Sequence, residues 1–225
     1  STQGVSSAAS DVYKRQGYYQ DVTSQLVSDL LTQEGSWGNG LIFDICAAPG
    51  GKATAAASKG HPVVAADLSV KRLQLVKSNS LKLQVKLPLV ASNGTKLPFR
   101  KGQATRVLVD APCSGLGVLR RRADARWRIK EGDIADLADL QLELLCSALP
   151  LLKPGGLLIY SVCTLTDSET IGVDERFRRR MKVEQVSPLP DPWRKHQSAR
   201  FRWRLARDRG RCARGAKRHH DSTSD

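Results

Sequence analysis

Two cysteines in short polar loops, Cys113 and Cys163, have the residue type and setting for nucleophilic chemistry. Cys113 ends the run 110–113 (Asp-Ala-Pro-Cys), and Cys163 lies within the run 161–164 (Ser-Val-Cys-Thr). A third run, 44–52 (Asp-Ile-Cys-Ala-Ala-Pro-Gly-Gly-Lys), contains a glycine turn. Each run follows an apolar, strand-like segment, and parallel strands present their carboxyl ends at one edge of a sheet. We therefore expect the three loops to meet in an enzyme that uses a cofactor and a cysteine nucleophile.

The two thiols need an environment that ionises one of them. Free cysteine is often only a small buried side chain, and Cys146, inside an apolar helical pattern, is interpreted in that way. Pro, Ser and Thr flank Cys113 and Cys163, so both remain candidates for the nucleophile. A thiol with an ordinary pKa of about 8.5 ionises at neutral pH only beside a positive charge or a helix N-terminus. Lys52 and a predicted helix start at Thr166 are the candidates for that activation.

Alternating strand and helix patterns position these loops. Apolar runs predict strands, and apolar residues at helical spacing predict helices. The predicted strands are 41–46, 62–67, 86–91, 106–110, 157–161 and 182–186, and the predicted helices are 23–31, 52–58, 70–83, 133–152 and 166–181. The last helix is predicted to begin at Thr166 because Thr166 and Glu169 have capping-box spacing. This alternation predicts a doubly wound α/β sheet with its ligand at the carboxyl ends of the strands.

The glycine turn of run 44–52 and Asp67 are candidates for cofactor binding. Small residues between a strand and a helix let the backbone approach a ligand, and the helix N-terminus offers free N–H groups. Asp67 ends the next strand about 20 residues later, where a carboxylate can accept both ribose hydroxyls. Each feature also has a structural explanation, a tight turn for the glycines and a helix cap for Asp67. The spacing indicates an adenosine-containing cofactor without separating nicotinamide from S-adenosylmethionine.

Composition favours one domain with appendages, as expected for 225 residues. The five cysteines are odd in number and include no CxxC pair, so we expect neither a disulfide framework nor zinc, and a reducing cytoplasm. No apolar run approaches the ~20 residues that span a bilayer. Of the 36 Lys and Arg residues, 16 lie from Arg176 onward, with only 5 of the 22 Asp and Glu residues. Such a basic segment binds nucleic acid in some proteins and is a solvated arm in others.

Three runs resemble motifs of the RNA cytosine-C5 methyltransferases: 44–52, 110–117 (Asp-Ala-Pro-Cys-Ser-Gly-Leu-Gly) and 160–165 (Tyr-Ser-Val-Cys-Thr-Leu). Within that family the chain looks most like the Sun/RsmB (Fmu) type, which methylates small-subunit ribosomal RNA in bacteria. The run 119–127 also looks like that type, and the resemblance covers about residues 17–177. It implies a Rossmann-like, mostly parallel fold, S-adenosylmethionine as cofactor, and RNA, most closely rRNA, as partner.

The resemblance also implies residue roles. Cys163 would attack C6 of cytosine and form a covalent adduct, and Cys113 would help to release the methylated product. Asp110 would lie near the methyl donor and the target base, and Lys52 completes the catalytic set. The cofactor-binding residues would be Cys46, Ala47, Ala48, Pro49, Gly50, Gly51, Lys52, Asp67, Asn93 and Asp110. No metal or membrane is expected, and a monomer is assumed.

Departures from the family pattern set the expected domain boundaries. Asn93 occupies a position near the adenine of the cofactor where the family usually carries Asp, which predicts weaker cofactor binding. Beyond Trp193 no apolar run can supply the last strand of the sheet, so we expect a sheet incomplete at the C-terminus. The expected units are a non-native or disordered leader (1–16), a catalytic domain (17–194) and a basic, disordered or non-native tail (195–225).

Relatives of the Sun/RsmB type carry an N-terminal RNA-binding region of NusB-like type, for which this sequence has no counterpart. The chain therefore looks like a catalytic-domain fragment, with low activity expected. The alternatives are methylation of transfer RNA or another RNA, a non-catalytic RNA- or cofactor-binding remnant, and an unrelated small-molecule methyltransferase or nucleotide-binding enzyme.

Overall fold

A computed structural model describes residues 22–33, 40–118, 129–186 and 200–205. Their strands are β1 (Ile42–Asp44), β2 (Val63–Asp67), β3 (Leu89–Ala91), β4 (Ala104–Asp110), β5 (Leu152–Ser161), β6 (Val183–Gln185) and β7 (Arg200–Leu205). They form one sheet in the order β3-β2-β1-β4-β5-β7-β6. Strands β1 to β5 pair in parallel, and β7 runs antiparallel to both of its neighbours. The predicted mostly parallel α/β sheet is confirmed.

Helices cover both faces of the sheet. They are α1 (Val22–Thr32), α2 (Gly51–Ser58), α3 (Val70–Lys82), α4 (Glu131–Ala148) and α5 (Ile171–Arg180). One core joins α1, α2 and α3 to the sheet, and the other joins α4 and α5 to the opposite face. The strand order reverses between β1 and β4, and ligands of such sheets bind outside the carboxyl ends at that point. None of the described helices has the length and apolar character needed to cross a membrane.

Strand β7 lies within residues 195–225, which were predicted to form a basic, disordered or non-native tail. Residues 200–205 form β7 and fill the gap between β5 and β6. The alternating segment 201–205 was not predicted as a strand because its cationic face would be buried between neighbouring strands. An alternating strand, however, needs apolar side chains on only one face. Trp203 and Leu205 supply that face and are buried in the core beside α5.

Strand β7 places the aromatic side chain of Trp203 and the cationic side chain of Arg202 in the interior. The indole N–H of Trp203 donates to Asp174 Oδ1 at 2.9 Å, so this buried donor is satisfied. The aromatic rings of Phe177 and Trp203 lie 4.7 Å apart between centroids. On the opposite face Arg202 is buried, and burial lowers the pKa of its guanidinium. The predictions for residues 1–16, 119–127, 195–199 and 206–225 lie outside the described residues.

The helix predicted to begin at Thr166 begins later. Residues 167–170 form turns, and α5 starts at Ile171 with Thr170 as its N-cap. The capping-box interpretation is therefore wrong, although Thr166 and Glu169 do contact each other through their side chains. The Glu169 carboxylate has other partners, which lie in the site described below.

Candidate active site

The two candidate nucleophiles meet at the carboxyl ends of adjacent strands. Cys113 follows β4 and Cys163 follows β5, and their Sγ atoms lie 3.2 Å apart. The backbone N–H of Cys163 also lies 3.3 Å from Cys113 Sγ. Gly117 donates its backbone N–H to the Cys163 carbonyl, and a Cβ on Gly117 would lie 2.9 Å from that same oxygen. The glycine in run 110–117 thus lets one thiol loop pack directly on the other.

Protonation distinguishes the thiols. The hydrogen bond between Cys113 and Cys163, followed by burial, raises the pKa of the Cys113 thiol far above its ordinary value. Cys113 therefore stays protonated at neutral pH and is suited to donate to Cys163 Sγ. The pKa of the Cys46 thiol is also raised, mainly by burial, which makes it a poor nucleophile. Cys163 is the exposed member of the pair.

Lys52 and Asp110 form an ion pair beside the thiols. Lys52 Nζ lies 2.6 Å from Asp110 Oδ2. Burial acts to lower the pKa of Lys52, but Asp110 and the nearby charges of Asp44 and Cys163 outweigh it and raise that pKa. The ammonium is therefore fixed in its charged form, within electrostatic range of Cys163. The role of Lys52 in stabilising a thiolate stays a prediction.

The glycine loop is held in a conformation that other residues would not adopt easily. Gly50 has φ +102°, in the left-handed region, and is the N-cap of α2. A Cβ at Gly50 would lie 2.8 Å from Val76 Cγ1 of α3. The peptide bond between Ala48 and Pro49 is cis. Close packing of α3 against the loop therefore requires glycine at position 50 and leaves the N-terminus of α2 open at the sheet edge.

Asp67 ends β2 as predicted, but its carboxylate already has protein partners. One oxygen accepts the Ala48 N–H at 3.1 Å, and the other accepts the Ser69 N–H at 3.0 Å. Arg72 lies 3.5 Å from the same group. The side chain is only 3% exposed, although each carboxylate oxygen retains a second lone pair. Contact between Asp67 and a ribose stays a prediction, and the helix-capping alternative is wrong because Ser69 caps α3.

Asn93 lies beyond β3 at the same edge and is exposed. Its Oδ1 accepts the backbone N–H and the hydroxyl of Thr95, both at 2.9 Å, so the side chain already stabilises its own turn. The neighbouring Ser92 has a buried hydroxyl without a hydrogen-bond partner. The predicted contact between Asn93 and adenine stays a prediction.

Two buried polar atoms at this edge fit a ligand rich in N–H and O–H donors. Asp44 Oδ1, at the end of β1, and Ser92 Oγ, just after β3, have no hydrogen-bond partner. Such orphaned groups are costly unless a ligand or water satisfies them. The ammonium and hydroxyls of S-adenosylmethionine are donors of the required kind. Within the described ranges, no group of three or more His, Cys, Asp or Glu side chains is arranged to hold a metal ion.

A buried polar network beneath the thiols was missed from the sequence. Its centre is Glu169, which is fully buried and contacts Ser114, Thr164, Thr166 and Gln141. A usable sequence signal was the position of Ser114 and Thr164 directly after Cys113 and Cys163. The local capping-box spacing concealed the role of Glu169.

Comparison with known proteins agrees with this arrangement. The sequence profile of the 16S rRNA methyltransferase RsmB/F family matches residues 30–205. The chain belongs to this family. The match includes β7, which supports its place in the fold.

Named relatives are consistent with the RsmB/F assignment. Ribosomal RNA small subunit methyltransferase B of Yersinia pseudotuberculosis is 41% identical over 156 residues, covering 67% of this chain and 35% of that protein. Rv1407, a candidate methyltransferase of Mycobacterium tuberculosis, is 42% identical over 180 residues, covering 78% of this chain and 39% of that protein. The chain thus spans between a third and two fifths of the length of these relatives.

Solved structures show the same fold. PH0851 superposes with a TM-score of 0.72 at 28% identity, covering 83% of this chain and 46% of that one. NSun6 from Pyrococcus horikoshii, solved with the S-adenosylmethionine analogue SFG, has a TM-score of 0.66 at 28% identity. That match covers 84% of this chain and 53% of NSun6. The Rossmann-like methyltransferase fold is therefore established for this chain.

Proposed function

We propose that this chain transfers a methyl group from S-adenosylmethionine to C5 of a cytosine in RNA, with small-subunit rRNA as the substrate. The observation that carries the proposal is the pair of thiols, Cys113 and Cys163, with Sγ atoms 3.2 Å apart at the carboxyl edge of the sheet. A methyltransferase acting on a nucleophilic atom needs no such pair, whereas C5 of cytosine must first be activated by a thiolate. Membership of the RsmB/F family supports the RNA substrate.

The residues available for the cofactor surround the glycine loop. Asp44 and Ser92 offer unpartnered acceptors, and the N-terminus of α2 and Asp67 flank them. When bound, S-adenosylmethionine supplies the electrophilic methyl group. The loop residues Cys46, Ala47, Ala48, Pro49, Gly50, Gly51 and Lys52 would contribute backbone rather than thiol chemistry, because the Cys46 thiol stays protonated. Asp67 and Asn93 would contact the ribose and the adenine.

Cys163 would act as the nucleophile. Its sulfur would bond to C6 of cytosine, which makes C5 electron-rich. Lys52 would stabilise the thiolate before attack, since it is held as an ammonium within electrostatic range. As the sulfur adds to C6, N3 of the ring would take a proton from solvent. Asp110, fixed by Lys52, would then accept the hydrogen bond from N3–H and orient the base.

Cys113 would act in the second half of the reaction. Before attack it holds its proton, because the hydrogen bond with Cys163 is the largest cause of its raised pKa. Once the Cys163 sulfur is bonded to carbon it is neutral and a weaker acceptor, so that cause diminishes. The Cys113 thiol then ionises more readily, giving its proton to solvent, and the resulting thiolate can remove the C5 proton. The C5–C6 double bond re-forms as the Cys163 sulfur leaves as a thiolate, N3 returns its proton to solvent, and the product is released.

The proposal is tested with single cysteine variants and a small-subunit rRNA transcript. Cys163→Ala should form no covalent RNA adduct and no 5-methylcytosine. Cys113→Ala should accumulate a covalent protein–RNA adduct that resists denaturing electrophoresis, because release fails. Cys146→Ala, on α4 away from the thiol pair, is the matched control and should behave like the parent chain.

Three outcomes would contradict the proposal. Methylation by the Cys163→Ala variant would exclude Cys163 as the nucleophile. A covalent RNA adduct formed through Cys113 would reverse the roles of nucleophile and releasing group. Methylation of a transfer-RNA transcript in preference to the rRNA transcript would agree with the proposed reaction but contradict rRNA as its substrate.

A further inference from the structure

The Glu169 carboxylate lies in a buried polar network next to the thiol loops and is 0% exposed. Its Oε1 accepts the Ser114 backbone N–H at 2.8 Å and the Gln141 amide at 3.0 Å. Its Oε2 accepts the Ser114 hydroxyl at 2.5 Å and the Thr166 hydroxyl at 2.8 Å, and Thr164 Oγ1 lies 3.1 Å away. A single buried side chain thus collects donors from three separate segments of the chain.

These donors adjoin both thiols. Ser114 follows Cys113 directly, and Thr164 follows Cys163 directly, so the carboxylate contacts both nucleophile loops at once. The Ser114 and Thr164 hydroxyls also contact each other, at 2.7 Å. Gln141 of α4 donates to the carbonyl of Pro112 as well, which fixes the other side of Cys113.

Glu169 carries a charge in this position. Burial acts to raise the pKa of its carboxyl, but the hydrogen bonds from Ser114, Thr166 and Gln141 outweigh burial and lower that pKa. These donors are neutral, so the carboxylate is stabilised by directed hydrogen bonds, which depend strongly on geometry. A network of this kind resists changes in the relative position of the loops that supply it.

The local sequence would have allowed a simpler use of Glu169. Capping-box spacing lets its side chain return to the Thr166 backbone N–H, but that N–H lies 3.4 Å from the Thr164 hydroxyl instead. Helix α5 begins only after Glu169, at Ile171. The Glu169 side chain therefore bonds to the two thiol loops and does not cap a helix that starts at Thr166.

We propose that Glu169 is a positioning residue that fixes the spacing of the Cys113 and Cys163 thiols. This inference deepens the proposed function and rests on it for its catalytic consequence. The informative variant is Glu169→Gln, because an amide of the same shape keeps one acceptor for Ser114 N–H and Gln141. The hydroxyl donors on the other side can rotate to accept from the new NH2 group. Glu169→Gln therefore removes the charge and weakens the hydrogen-bond network while keeping the volume of the side chain.

The spacing is measured with phenylarsine oxide, independently of methyl transfer. This probe condenses with two thiols, forming two As–S bonds and releasing one water, so its affinity depends on sulfurs held close together. Glu169→Gln should weaken binding of the probe about tenfold through lost preorganisation. Cys113→Ser and Cys163→Ser should each abolish tight binding and so locate the probe. Glu175→Gln, an exposed carboxylate of α5, is the matched control and should leave the affinity unchanged.

Kinetics on the rRNA transcript give the second readout. Glu169→Gln should lower kcat by about 10- to 100-fold, since small misplacements of reacting groups are costly, with KM for RNA and the affinity for S-adenosylmethionine unchanged. Unchanged probe affinity would overturn the proposal, and so would equal damage to cofactor binding. The parent chain could also bind the probe tightly, lose that affinity in Glu169→Gln, and yet transfer no methyl group. That result would refute the proposed function but leave the role of Glu169 in thiol spacing standing.

A second variant covers a failure of Glu169→Gln to fold. Thr166→Val removes one hydroxyl donor to Oε2 at similar volume, at a position that contacts neither thiol. It should weaken probe binding about threefold, as expected for loss of one hydrogen bond. Unchanged affinity in this variant would also overturn the proposal.

Discussion

Asp44 should make the stability of this chain depend on pH in a direction opposite to that of most carboxylates. Its side chain ends β1, is 1% exposed and has an unpartnered Oδ1. Burial, followed by the proximity of Asp110, raises its pKa from 3.8 to about 7, although Lys52 acts in the other direction. A difference of about three units corresponds to about 4 kcal/mol.

The sign of the effect follows from proton binding. Between pH 4 and pH 7 the folded chain holds the Asp44 proton that the unfolded chain releases, so the free energy of unfolding falls as pH rises through this window. Above pH 7 the buried carboxylate is charged and the full penalty is present. Asp44→Asn is neutral throughout, so it should match the parent chain at pH 4 and exceed its stability by up to about 4 kcal/mol at pH 8.

Urea denaturation of both chains without cofactor, at several pH values between 4 and 8, measures this difference. Subtracting the two curves cancels the titration of the groups that do not interact with Asp44. Asp136→Asn, an exposed carboxyl of α4, is the matched control and should show no gain at high pH. A gain from Asp44→Asn that is independent of pH, or that shrinks as pH rises, would refute the reasoning.

Two further substitutions test the packing that positions the site. Trp203→Phe keeps an aromatic ring in β7 but removes the N–H that Asp174 accepts, so urea denaturation should show a loss of about 1–3 kcal/mol. A parent-like stability would mean that this bond contributes little. Gly50→Ala combines a left-handed φ with a clash against Val76, whereas Gly60→Ala has a left-handed φ and open space. Thermal unfolding should therefore show the larger loss for Gly50→Ala, by about 1–3 kcal/mol, and equal losses would rule out the clash.

The convergence of the catalytic candidates could be predicted from the sequence. Asp110 ends a strand-like run, and Lys52, Cys113 and Cys163 each follow one. Parallel strands bring their carboxyl ends together whatever the details of packing. That topological argument needs no knowledge of side-chain contacts. The 3.2 Å separation of the thiols is more specific, because it depends on Gly117 packing against the Cys163 carbonyl.

Glu169 and β7 were misinterpreted for a shared reason. In each case the local sequence pattern is present, but the partners that decide the structure lie far away in the chain. Ser114 is 55 residues from Glu169 and outcompetes the local capping-box contact. Trp203 finds Asp174, 29 residues away, and an alternating cationic segment thereby becomes an interior strand. Tertiary partners of this kind override local propensity and cannot be read from spacing alone.

The two misinterpreted features are physically connected through Tyr160. Its ring stacks against Trp203 of β7, with centroids 6.1 Å apart, and its hydroxyl lies 2.7 Å from the Glu169 carbonyl and 2.9 Å from Gln141 Oε1. Trp203 in turn is bonded to α5 through Asp174. The last strand therefore supports the side chain that joins the sheet to the network beneath the thiols. Because buried hydrogen-bond networks depend on all their members, β7 contributes to the spacing of Cys113 and Cys163 as well as to the stability of the sheet.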